Sequence, residues 1–354
     1  MRLLDRYIGR SVLSAMLATL VVLTALIGFV TLLDEAGDAG RGDYGIGDVF
    51  IYVLLLLPRF AYELFPMAVL LGSLVGLGGL ASHSELTAMR AAGVSLSRIM
   101  LAVMKAGVLA MVVMGLVGEL VAPASEQYAG QMRAQKISGN VTLQTPYGFW
   151  ARDGNAFINI RYLLPDARLR DVYIYEFSDD RRLLRATHAA DAVYRGGQWL
   201  LSDVGRSRFT EAGVESEHLD SARWPSSLDP DILDVVAARP SMLPAWGLYQ
   251  YIDYLRDNGL DARSYEVAFW SKVLTPVVVL VMIFLSLPFV FGSLRTVGVG
   301  QRIFVGALLG IGFLLLSRAF GNLAVVYRLD PLFAALFPSL FFLGIAFWLV
   351  RRVR

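Results

Sequence analysis

The sequence predicts a membrane α-helical bundle of six transmembrane helices with an all-β domain inserted between the third and the fourth. Three observations predict it: an apolar composition, two clusters of long apolar runs, and a charged, turn-rich stretch of roughly 140 residues between the clusters.

The 354 residues are 56% hydrophobic and 18% charged, with a mean hydropathy of +0.56. A soluble domain carries about 45–50% apolar and about 25% charged residues, so the chain falls in the membrane class. Its formal net charge of +2 gives no basis for nucleic-acid binding. Cysteine is absent, which removes disulfides and thiol chemistry. Arg2, Arg6 and Arg10 precede the first apolar run as they would in a signal peptide. That run is too long for an h-region and lacks a small-x-small cleavage site, so it is read as a retained helix.

The first three spans are read at Val12 to Leu33, at Phe65 to Ala81 with an apolar lead-in from Val49, and at Ile99 to Val121. The last three are Val273 to Phe291, Ile303 to Val326 and Leu332 to Val350. A hydrocarbon core needs about 20 residues of helix, which each provides or approaches. The resulting division is a first helical region at 1–123, an inserted domain with connecting helices at 124–265 and a second helical region at 266–354. Basic residues cluster in the N-terminus, in the loops with Arg90, Arg98 and Lys105 and with Arg295 and Arg302, and in the C-terminus. Six spans put all four clusters on one side, the cytoplasmic one, and the inserted domain on the other.

Within the insert, Phe149 to Ala151, Ala156 to Tyr162, Val172 to Phe177, Ala189 to Tyr194 and Trp199 to Val204 read as strands. Turns are predicted at Asp153-Gly154-Asn155, Ser178-Asp179-Asp180 and Gly196-Gly197. Such strands suit a sandwich, a jelly roll or an open groove. Ala245 to Arg256 has helical spacing with Gly259 as its stop, and a second short helix starts near Ala262.

No phosphate-binding Gly-rich loop and no G-x-S-x-G elbow occurs, so no catalytic residues are assigned. His83, His188 and His218 lack ligand spacing, so no metal site is assigned either. Arg318 lies within the fifth span, where a charge must face a bundle interior, a cavity or a partner. Glu119 and Lys272 lie at span ends and are read as boundary charges that snorkel. Gly72, Gly76, Gly78 and Gly79, and then Gly306, Gly310 and Gly312, predict close helix packing. In segment 82–97, Ser82 or Ser84 is expected to cap a short helix with Glu85 in its first turn and Gly93 near its end. Leu86, Met89 and Ala92 or Gly93 would form its modestly apolar side.

The runs Leu4-Asp5-Arg6-Tyr7-Ile8-Gly9, Ser84-Glu85-Leu86 with Met89 and Gly93, and Arg133-Ala134-Gln135 resemble the LptF/LptG permeases of lipopolysaccharide export, most closely the LptG branch. Trp150 to Asn155, Trp270-Ser271-Lys272 and Phe291-Gly292-Ser293-Leu294-Arg295 extend the resemblance over the whole length. It implies a non-catalytic permease subunit of an ABC-type transporter in the inner membrane, with a periplasmic β-jelly roll. The implied partners are a homologous LptF permease, a dimeric LptB ATPase that uses ATP and magnesium, LptC, and a periplasmic bridge protein. No cofactor is implied for this chain itself.

The resemblance also implies site roles. Segment 82–97 becomes a coupling helix in a groove of the ATPase, carried by Ser84, Glu85, Leu86, Met89, Arg90 and Gly93. A lateral gate or lipid cavity would involve Phe29, Thr31 and Leu33 of the first span, with Phe313, Leu316, Ser317 and Arg318 of the fifth. The external end of the first span reads Thr31-Leu32-Leu33-Asp34-Glu35, without the basic residues such permeases carry there. Arg41, Arg133 and Lys136 are therefore the expected contacts for lipid phosphates, with Arg318 or residues of the partner permease as alternatives. The alternative function is a membrane-anchored scaffold that binds envelope proteins through its β domain.

Overall fold

The structure, a computed structural model, describes residues 2–138, 143–164, 168–195, 198–210, 213–225, 243–291 and 299–353. Gly196, Gly197 and the run from Gly292 to Arg295 lie outside the described residues.

Ten α-helices are described: α1 (Arg2–Ala36), α2 (Ile46–Ser82), α3 (Glu85–Ala91), α4 (Leu96–Leu116), α5 (Ala122–Ser138), α6 (Ala245–Asp257), α7 (Arg263–Val273), α8 (Thr275–Phe291), α9 (Val299–Tyr327) and α10 (Pro331–Val353). Five helical segments are long and apolar enough to cross a membrane, and the bent pair α7–α8 makes a sixth. The sixfold expectation thus holds with the fourth span bent by 51° at Leu274. A π-helical turn, Val117–Val121, joins α4 to α5, so that one helix of 42 residues runs from Leu96 to Ile137. The third span therefore does not stop at the domain boundary; it continues out of the apolar zone and leads to the sheet.

The 37-residue α2 is the bundle's centre and packs on α1, α4, α5, α8 and α9. Two glycines allow the close approach of α1: a methyl group at Gly72 would sit 2.3 Å from Met16 Cα, and one at Gly76 would sit 2.9 Å from Val12 Cα. Gly306 and Gly310 likewise meet Leu74 and Met67. Small residues let backbones approach where lipid gives no hydrophobic drive, as the glycine pattern predicts. Gly79 is the exception, with nothing near it. Val279, Met282, Ile283 and Leu285 of α8 are fully buried in the same core.

The inserted domain is one antiparallel six-stranded sheet in the order β1 to β6, following the chain. Its strands are β1 (Leu143–Asp153), β2 (Ala156–Leu164), β3 (Arg168–Phe177), β4 (Leu183–Arg195), β5 (Gln198–Thr210) and β6 (Gly213–Trp224). Every described connection is to the next neighbour, and no Greek-key crossover occurs among the described strands. Ile158, Ile160, Val172, Ile174, Ala189, Trp199 and Val204 share one apolar core. Only β6 had no sequence signal, because Glu215-Ser216-Glu217-His218 is a polar edge exposed on both faces.

A crease runs across this sheet. The pairings Arg161 with Asp171, Asp171 with Ala190, Ala190 with Asp203 and Asp203 with Asp220 are missing from otherwise continuous ladders. Asp171 and Asp203 are left-handed there, at φ +58° and +52°. Aspartate visits that region more readily than most residues because its short polar side chain bonds locally. His188 Nε2 lies 2.8 Å from Asp171 Oδ1, and His218 Nε2 lies 3.3 Å from Asp203 Oδ1. The crease also shifts side-chain parity. A strict period of two would put Leu169 and Val172 on opposite faces, yet both are buried in one core. Leu201 and Val204 repeat the shift on β5.

Helix α6 ties the sheet to the bundle. Tyr254 donates its hydroxyl to the Arg152 carbonyl at 2.7 Å, and Asn258 Oδ1 accepts from Gly154 N at 3.2 Å. Burial is the main cause pushing the Tyr254 hydroxyl up to about 12. Gly259, at φ +65°, ends α6 as expected.

Candidate functional site

Three surfaces hold the residues assigned from sequence: the short helix α3 at the bundle end remote from the sheet, the outward faces of α1 and α9, and the joint where the helices meet the domain.

Helix α3 begins at Glu85 and stops at Gly93, whose φ is +85°. Val94 N donates to Met89 O at 3.0 Å, satisfying a terminal carbonyl. The expected side-chain cap is absent. Ser84 occupies the cap position in a left-handed conformation without a side-chain bond, and Ser82 Oγ donates back to Gly79 O at 2.8 Å. The apolar side also points elsewhere than expected. Leu86 is 3% exposed within the bundle core, and Met89 packs beside it. Thr87, Ala88, Arg90 and Ala91 form the outer side. Glu85 Oε2 accepts a hydrogen bond from the Tyr7 hydroxyl at 2.7 Å, which fixes α3 to the start of α1.

On α1, Phe29 and Leu33 are exposed, whereas Thr31 is half-buried and donates to Ile27 O at 2.9 Å. Phe29 and Leu33 belong to an outward stripe with Val22 and Leu26, spaced as one helix face. For α9 the expectation needs correcting. Phe313 is buried edge-to-face against Phe342 at 5.5 Å, and Leu316 packs at the margin of the same core. Ser317 lines a half-open cleft of about 150 Å³ with Glu63, Thr275 and Pro338. The exposed stripe of α9 is instead Phe304, Leu308, Ile311 and Leu315, again at helical spacing. Arg318 is exposed, and among the described residues it makes no ion pair.

The three expected phosphate contacts are already neutralised. Arg41 pairs with Asp38 at 2.7 Å, Lys136 with Asp48 at 3.7 Å, and Arg133 with both Glu35 and Asp38. Arg133 also lies over the Tyr52 ring. The Arg133 and Lys136 pairs clamp the α1–α2 connection to α5, as does the bond from Asp43 N to Lys136 O. The acidic loop that departed from the basic pattern is thus complementary to the cations of α5.

The joint was not visible in the sequence. Glu119, within the π turn, pairs with Lys272 of α7 at 3.2 Å and accepts from Ala245 N, the start of α6, at 2.7 Å. The snorkelling assignment therefore fails for both residues, and Lys272 is only 11% exposed. Tyr62 of α2 lies under the Lys272 ammonium and against Gly118, where a methyl group would sit 2.2 Å from the ring. One turn further out, Arg59 bridges Glu63 and the buried Glu126. No spacing rule could reveal the Glu119–Lys272 and Arg59–Glu126 pairs, whose partners lie far apart in sequence.

Six apolar spans with outward apolar stripes, and a β domain carried outward on a continuous helix, define a multi-pass membrane protein with an extramembrane sheet. The chain belongs to the family described as "Lipopolysaccharide export system permease LptF/LptG", whose sequence model matches residues 6–352. It is similar to the lipopolysaccharide export system permease protein LptG of Haemophilus influenzae, 40% identical over 353 residues covering 99% of both chains. It is also 39% identical to the protein of the same name from Escherichia coli K12, over 99% of this chain and 98% of that one.

Proposed function

We propose that this chain is an LptG-type permease subunit of a lipopolysaccharide export complex in the inner membrane. The observation that carries the reading is the end-to-end family match, from residue 6 to residue 352, on a bundle interrupted by a sheet with an apolar inner face. In this reading both termini and α3 are cytoplasmic and the sheet is periplasmic, in line with the arginines at both chain ends. The exposed stripes of α1 and α9 pair with those of a homologous LptF permease and leave a lateral opening for lipid between subunits. The outer side of α3 enters a groove of a dimeric LptB ATPase, which consumes ATP and magnesium. LptC and a periplasmic bridge protein then receive the lipid from sheet edge to sheet edge by β-augmentation.

Mass spectrometry of the complex purified in mild detergent tests this reading. The expected result is co-purified lipopolysaccharide together with a stoichiometric ATPase. A stable assembly holding envelope proteins but neither lipopolysaccharide nor ATPase would replace it with the scaffold function.

A further inference from the structure

A crevice of about 600 Å³ lies between α1 and α4 at the bundle end remote from the sheet. Its floor is made by a close helix approach: a methyl group at Gly9 would sit 3.8 Å from Ala106 Cβ, and Ala102 and Met16 are buried beside it. Leu13, Leu17, Leu109 and Val113 form apolar walls. Arg10 follows Gly9 on α1 and Lys105 precedes Ala106 on α4, and both line the crevice. Arg6 lies one turn further out on α1.

The charge at this mouth is unbalanced. Arg6, Arg10 and Lys105 are exposed, and none of them makes an ion pair among the described residues. The one carboxylate lining the crevice, Asp5, is taken by Arg98 at 3.3 Å. An apolar slot with three cations at its mouth fits a ligand with an anionic head and an unbranched apolar tail. A second helix is about 10–12 Å across with its side chains, too wide for a slot whose two walls touch at its floor.

We propose that this crevice is a binding site for an anionic glycerophospholipid, its phosphate held by Arg6, Arg10 and Lys105 and one acyl chain lying against Leu13, Leu109 and Val113. The site is separate from the lipopolysaccharide path, since its cations lie at the opposite end of the bundle from the sheet. It does not rest on the transport reading. A zwitterionic lipid presents the same phosphate but compensates it, and so binds more weakly. The bound lipid cements α1 to α4, next to the Tyr7–Glu85 bond that anchors α3.

The test is native mass spectrometry of the full-length complex titrated with phosphatidylglycerol or phosphatidylcholine. Phosphatidylglycerol is expected to bind the wild type more tightly, and Arg10→Gln/Lys105→Gln is expected to weaken it about tenfold or more. Both side chains are exposed, so the double variant leaves the core intact. Arg351→Gln removes a cation at the same end of the bundle, on α10, and should leave binding unchanged. Leu109→Trp fills the slot from its exposed wall and should weaken binding without altering charge. Equal losses in the double variant and in Arg351→Gln would reduce the effect to general surface attraction and overturn the site. Unchanged binding in Leu109→Trp would overturn the acyl slot. A photoreactive residue at Leu13 is expected to label lipid; labelling of a protein helix alone would assign the crevice to a partner and end the proposal.

Discussion

Lys272 and Glu119, 153 residues apart, meet at 3.2 Å where three helices and the base of the β domain converge. Lysine 272 is the more buried partner, so removing Glu119 strands an ammonium, while removing both charges does not. Lys272→Met is expected to destabilise the protein by about 1–3 kcal/mol, less than the ~3–5 kcal/mol of breaking a fully buried pair, because Glu119 is one-third exposed. Glu119→Gln/Lys272→Met should recover part of that loss. Thermal unfolding of the full-length protein in detergent measures both, and additive losses would show that the two charges act independently.

Gly118 sits in the π turn with the Tyr62 ring against it. Gly118→Ala is expected to lower the melting temperature, because the ring must move to admit the methyl group. Tyr62→Leu in the same chain should relieve the clash. A Gly118→Ala protein as stable as the wild type would mean that the ring is free to swing away.

Asp171 separates charge from conformation at the sheet crease. Partial burial raises its carboxyl, but hydrogen bonds with His188 and Tyr173 and the charge of Arg161 outweigh this and hold it below its ordinary value. A depressed folded value contributes stability above the unfolded pKa of about 3.9, and that contribution is lost as pH falls through the folded value. Asp171→Asn keeps the left-handed preference and should cost about 1 kcal/mol or less at pH 7, since the ion-pair partners are half exposed. The difference from wild type should vanish in acid. Asp171→Ala should add about 1–2 kcal/mol at every pH from the backbone alone. Equilibrium unfolding followed by tryptophan fluorescence at pH 7 and pH 3 reads both effects.

Because Leu86 is buried in the bundle core, Leu86→Asp is expected to unfold the base of the bundle rather than test docking. Arg90→Glu on the outer side is the cleaner probe. It should reduce ATPase retention on purification while leaving the melting temperature of the free permease unchanged. Glu85→Lys should lower both ATPase retention and the melting temperature, since it also breaks the bond from Tyr7. Full ATPase retention by Arg90→Glu would remove the outer side of α3 from the interface.

Much of the fold was legible because its signals are local. Apolar length gave the spans, Gly154 and Asp179 marked hairpin turns, and Gly259 and Ala262 bounded the two connecting helices. What escaped depends on tertiary partners. The polar pattern of β6 carries no period, since an edge strand with two wet faces needs none. The parity shift between Leu169 and Val172 breaks the alternation that a strand search relies on. On α9 the apolar sequence does not tell the face of Phe313 from its opposite, whereas the glycines at 306 and 310 turn the Phe313 side inward and put Leu308 and Ile311 outside. The clamp of Arg133 on Glu35 and Asp38 shows why the acidic loop after α1 tolerates no simple reading by charge count.

The unbroken helix from Leu96 to Ile137 has a mechanical meaning. Its 42 residues span about 63 Å at 1.5 Å per residue, roughly twice the hydrocarbon thickness of about 30 Å. One end abuts α3 and the other enters the root of the sheet, so the helix is a lever arm with its fulcrum near the π turn. About that point a tilt of about 5° would displace the sheet-side end, about 27 Å away, by about 2 Å. A tilt imposed at the α3 end would therefore reach the sheet somewhat reduced, because the arm beyond the π turn is the shorter one.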